Sequence, residues 1–214
     1  MRTTVYTIIT LSIVASCSAF AGPKAEAVPS QIVVGLSPFM PAAARPQVLT
    51  ALAGFVLTGC PNGARFTVLD GWELKIVCDL RWRTLAYDSP VARAESAGPA
   101  LAALRQWLID LDQRPAPPAL RDSWAVNTPE FLRAATAEAA PARRIIIWGS
   151  PIYRSLEEPS FSMVPDRFPS DGNLSRSLRE TPFGVDDNRR LANTPVFWVY
   201  PDESLWLSGR HRYL

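Results

Sequence analysis

Gln31-Ile32-Val33-Val34-Gly35-Leu36, followed at once by Ser37-Pro38, is a short apolar run rich in β-branched residues that stops at a loop signal. Such a run reads as a strand buried on both faces, as in a parallel sheet covered by helices. Downstream, Pro46 suits a first helical turn, and Val48, Leu49, Leu52, Phe55 and Val56 recur at helical spacing up to Gly59. Arg65 to Leu69 and Glu73 to Leu80 flank Asp70-Gly71-Trp72, an antiparallel hairpin signal. Setting Leu69 opposite Glu73 puts Val68 with Leu74, Phe66 with Ile76 and Ala64 with Cys78, like with like across the ladder. Residues 99 to 111 carry Leu101, Leu104, Leu108 and Leu111 at intervals of three and four, the pattern of a second helix. Pro115 to Pro118 interrupt the chain, and Thr128-Pro129-Glu130 opens a third helix through Ala139. Ile145 to Trp148 and Pro195 to Tyr200 are further apolar strands. The whole predicts an α/β fold: a layered, Rossmann-like, mainly parallel sheet with helices on both faces and an antiparallel edge hairpin.

Residues 31–214 form one domain in this reading, because 214 residues with 48% hydrophobic content supply one sizeable core. Ahead of it, Arg2, the apolar run Val5 to Val14 and Ala19-Phe20-Ala21 make residues 1–21 a secretory signal, with 22–30 as a linker. Val14-Ala15-Ser16-Cys17 resembles the bacterial lipobox, so residues 1–16 form an alternative lipoprotein signal with Cys17 as the lipidation candidate. The protein is then exported, either free in the periplasm or lipid-anchored to the envelope, and touches a membrane only through that anchor. Cys60 and Cys78 are an even pair in an oxidising space. The Pro61-Asn62-Gly63 turn and the hairpin register favour a disulfide between them, the alternative being two unpaired core thiols. The net charge is +2 and calls for no nucleic acid, yet Lys24 and Lys75 are the only lysines among 22 cations. That arginine excess reads either as base composition or as an arginine-lined anion surface.

The order strand, helix, antiparallel hairpin, helix, helix, strand, long excursion, strand resembles the von Willebrand factor type A fold. That family's metal motif, Asp-x-Ser-x-Ser, reads Gly35-Leu36-Ser37-Pro38-Phe39 here, and its later Asp falls near Gly149-Ser150. Hard cations need several oxygen ligands that include carboxylates, so the resemblance implies an interaction module without the metal, and no cofactor is called for. Gly35-Leu36-Ser37 also resembles the Gly-Asp-Ser block of the SGNH/GDSL esterases. On that alternative Ser37 is the nucleophile and His211, the only histidine, is the base near the C-terminus, where that family keeps it. The family's Asp-x-x-His reads Ser208-Gly209-Arg210-His211. No phosphate loop, nucleophile elbow or zinc spacing is present in the sequence.

The Pro-rich excursion of residues 149–194 has no sustained periodicity, and loops of that length are commonly functional. Tyr153, Phe161, Phe168 and Phe183 supply it with aromatic side chains of the type enriched at binding hot spots. They are the candidate contacts to a partner, expected to be another envelope protein.

Overall fold

The computed structural model describes residues 30–82, 89–138, 143–163, 181–182 and 191–200. The signal and linker, Cys17, Phe168, Phe183 and His211 lie outside the described residues. Strand β1 is Gln31–Leu36, helix α1 Arg45–Gly54, β2 Arg65–Asp70, β3 Ile76–Arg81, α2 Pro90–Asp110, α3 Thr128–Ala135, β4 Arg143–Trp148 and β5 Val196–Val199. The sheet order is β3-β2-β1-β4-β5. All neighbours run parallel except β2 and β3, so the α/β layered sheet with an antiparallel edge hairpin is as the sequence implied.

Alternation along β1 assigns each face its helices. Ile32, Val34 and Leu36 join Phe66, Val68, Cys78 and Leu80 against Val48, Leu52 and Val56 on one side of the chain and Leu104 and Leu108 of α2. Val33, Ile145 and Ile147 face the other way, onto Phe131 and Ala135 of α3. α2 starts eleven residues before its leucine pattern does, at Pro90 rather than Leu101, because the Ser89 hydroxyl accepts from Ala92 N at 3.1 Å and Pro90 fills the first turn. α1 passes into a π-helical turn at Phe55–Gly59. Its open carbonyls are met from α2, where the Arg93 guanidinium donates to Leu57 O and Cys60 O and stacks over Trp82 at 4.9 Å.

The hairpin forms, but in another register. Phe66 pairs with Leu80 and Val68 with Cys78, and a bulge then brings Leu69 to Ile76. The loop is longer than the expected Asp70-Gly71-Trp72, since Leu69 pairs with Ile76 and not with Glu73. The Asp70 carboxylate accepts from Trp72 N and Glu73 N, and Leu74 takes the left-handed backbone at φ 62°. Gly71 instead meets the end of β1: its N–H donates to Leu36 O at 2.7 Å, and a Cβ there would lie 2.9 Å from that oxygen. The longer loop carries Cys78 four positions from the place opposite Ala64, where Trp82 now stands. That is about 13 Å along a strand.

The disulfide expectation is corrected accordingly: Cys60 and Cys78 are both buried free thiols. Cys60 sits by the Trp82 indole at one end of β3, and Cys78 pairs with Val68 further along it. Burial pushes the Cys60 thiol up to about 11 and the Cys78 thiol up to about 12, so neither supplies a thiolate at neutral pH. Among the described residues no helix is long and apolar enough to cross a membrane.

Candidate functional site

In an open parallel sheet, ligands enter the crevice at the carboxyl ends of strands where the connections diverge to opposite sides. Here that point lies between β1 and β4, since β2 follows β1 on one side and β4 flanks it on the other. Ser37 and Gly149-Ser150 are the residues at its lips. The chain's own segment, residues 120–127, occupies it.

Backbone hydrogen bonds tie this segment to three strand ends. Trp124 N donates to Phe39 O at 3.3 Å, Ser150 N to Trp124 O at 2.6 Å, and Asn127 N to Gly71 O at 2.8 Å. Ala125 makes a parallel bridge to Ser150. Leu120, Ala125 and Val126 are wholly buried, and the backbone is left-handed at Asp122 and Trp124 (φ 55° and 57°), which bulky residues adopt only where neighbours impose it. Gly149 is required by the fit: a Cβ there would stand 2.4 Å from Val126 Cγ2 and 2.8 Å from Trp124 O.

Ser37 belongs to this closure. It is 0% exposed, its hydroxyl donates to Ala125 O at 2.8 Å, and the same oxygen accepts from Phe39 N at 3.1 Å. A nucleophile must reach its substrate with a free lone pair and a base alongside. Ser37 offers an inward hydroxyl whose proton is engaged by a carbonyl. Ser37→Ala is expected to lower stability by about 2 kcal/mol, because Ala125 O and Phe39 N lose a buried partner. A urea-unfolding midpoint equal to that of the parent chain would refute this clamp role.

Beside the segment, Asp70 is 1% exposed and accepts from Arg114 Nη1 at 2.5 Å as well as from the two hairpin amides. Arg114 also meets Glu73, which pairs with Lys75 at 2.8 Å. The hydrogen bond from Lys75, helped by Arg114, holds the Glu73 carboxyl below its ordinary value. Burial alone would lower Arg114, but the carboxylates of Asp70 and Glu73 outweigh it and raise it. The sequence reading missed both residues 120–127 and this ion pair. The short segment has no periodicity to detect, and Asp70 and Arg114 are 44 residues apart.

Of the aromatic candidates, Tyr153 and Phe161 fall on one loop, closed where Met163 N donates to Tyr153 O at 2.8 Å. Inside it Ser155 N donates to Ser162 Oγ, Ser162 Oγ to Ser155 O, and Glu158 N to Ser155 Oγ, at 2.9, 3.1 and 2.9 Å. Phe161 N donates to Glu158 O at 3.0 Å. Tyr153 and Phe161 are half-buried, and burial pushes the Tyr153 phenol up. Leu156 is 47% exposed at the loop's turn, with Glu157 and Glu158 exposed beside it. Searches of protein-family models, curated proteins and solved structures find no match to this chain.

Proposed function

We propose that the chain is an exported cell-envelope protein, a non-enzymatic interaction module laid out like a metal-free von Willebrand factor type A domain. The sheet order with its single antiparallel edge pair supports the layout. One observation carries the interaction reading: the Tyr153–Met163 loop is braced by its own hydrogen bonds yet presents Leu156 outward. A pre-ordered loop loses little entropy on docking, and compact closed loops of this kind are frequent contact elements. The partner is another envelope protein, met by Leu156 flanked by Tyr153 and Phe161. The closed crevice around Ser37 weighs against the esterase alternative.

A photo-crosslinker placed at position 156 in cells should trap one envelope protein, identified by its peptides. Leu156→Asp should weaken binding of that purified partner by about tenfold or more, as for an interface anchor, with the unfolding midpoint unchanged. Undiminished affinity, or no crosslink at all, would remove the loop from the account.

A further inference from the structure

β5 is the outermost strand on the β4 side of the sheet. Its bonds to β4 use alternate residues: Ile145 N donates to Pro195 O at 3.0 Å and Gly149 N to Val199 O at 3.1 Å. Alternation along the strand turns the backbone groups of Phe197 inward with these and those of Val196 and Trp198 outward. Among the described residues no strand meets that outward edge. Edges are normally blunted by a charge, a bulge or a proline. Thr194 to Tyr200 carry no charge, and Pro195 falls on the inward register, so it removes no outward N–H.

The side chains here are apolar and open to solvent on both faces of the sheet. Val196 and Trp198 lie beside Ile145 and Ile147 on the α3 face, and Phe197 lies beside Ile146 on the face of α1 and α2. The Trp198 indole donates to Gly149 O at 2.8 Å, which fixes the exposed ring before any contact forms. The opposite edge differs: β3 exposes the charged Asp79 and Arg81 and is bulged against β2.

We propose that β5 pairs with β5 of a second copy of the chain, antiparallel about a twofold axis at Phe197. Joining outward residues to outward residues sets Val196 opposite the second copy's Trp198, and Trp198 opposite its Val196, each pair exchanging both its N–H···O bonds. Phe197 then faces its own counterpart at the non-hydrogen-bonded position, where side chains come closest and aromatic pairs are favourable. The strand is its own complement in this register and brings no like charges together. A twofold contact uses the same patch on both copies and closes at the dimer, while the charged β3 edges left at its ends resist further addition. The open shares of Phe197 and Trp198 come to roughly 200 Å² per copy, well under the roughly 800 Å² per partner of a tight complex. The dimer is therefore weak, with a dissociation constant on the order of 10–100 μM.

Sedimentation velocity of the mature chain, prepared with Cys17→Ser so that no acyl group contributes, should show a monomer–dimer equilibrium across about 1–300 μM. Phe197→Lys and Phe197→Glu should each weaken dimerisation by about tenfold or more, since like charges then meet at the axis. An equimolar mixture of the two should restore it as a heterodimer. Val196→Pro removes an outward N–H without touching the ladder to β4, so it should weaken the dimer even where the charged variants fail to fold. A chain that stays monomeric across the range overturns the proposal and leaves the edge to a foreign strand or to the chain's own residues 201–214. Association that survives Phe197→Lys and Val196→Pro, species that grow beyond the dimer, or folded charge variants that stay apart on mixing also overturn it.

Discussion

Asp70→Ala is expected to lower the unfolding free energy by about 4 kcal/mol, the scale for removing one partner of a buried ion pair. Three losses coincide. Arg114, whose side chain is 22% exposed, keeps a partly desolvated charge facing Glu73 alone. Trp72 N and Glu73 N lose the acceptor that shapes the hairpin loop. Gly71, which that loop delivers to Leu36 O and Asn127 N, then loses its fixed position. Asp70→Asn should cost less, since its amide oxygen can still cap the loop amides while only the charge is lost. Urea unfolding of both variants checks the ranking, and an Asn variant as damaged as the Ala variant would assign the effect to charge alone.

Gly149→Val should cost upwards of about 3 kcal/mol, at the severe end of overpacking effects. The new Cβ meets Val126 Cγ2 at 2.4 Å and the Trp124 carbonyl at 2.8 Å, and the second of these is backbone. That carbonyl accepts from Ser150 N at 2.6 Å, so it cannot retreat without breaking the bond that seals the crevice. Adding Val126→Ala should recover part of the loss through the side-chain clash and leave the backbone part. A double-mutant cycle measures that coupling. Strictly additive effects would mean that residues 120–127 do not press on Gly149.

How much of this was legible in the sequence follows from what each feature depends on. β1 and the Ile145 to Trp148 part of β4 were readable because a strand buried on both faces is a run of apolar residues, and β2 because it flanks the Asp70-Gly71-Trp72 hairpin signal. The helices were readable because their buried faces recur at 3.6 residues. The hairpin register was not, because Asp70 uses its carboxylate to build a longer loop and Gly71 is spent on contact with β1. Neither fact exists within the local sequence. The disulfide expectation inherited that register and fell with it. Ser37 stood out as a serine after a buried strand. Its neighbours decide that the hydroxyl is a clamp, and the decisive one, Ala125 O, is 88 residues away. β5 read as buried, yet Val196, Phe197 and Trp198 keep 41 to 44% of their surface exposed among the described residues. An edge strand carries no mark in its own sequence that separates it from a central one.

The carboxyl-end crevice is closed by residues 120–127 of the chain itself. Native-state hydrogen exchange at the amides of Ser37, Gly71, Asn127 and Ser150 tests this most directly, because Asn127 and Ser150 are bonded across the closure, to Gly71 O and Trp124 O, while Ser37 and Gly71 bond the strand ends beneath it, to Trp148 O and Leu36 O. All four are expected to exchange only with global unfolding, with the denaturant dependence of the core strands. Exchange of Asn127 and Ser150 through a local opening, well ahead of β1, would contradict it and return Ser37 to an accessible crevice.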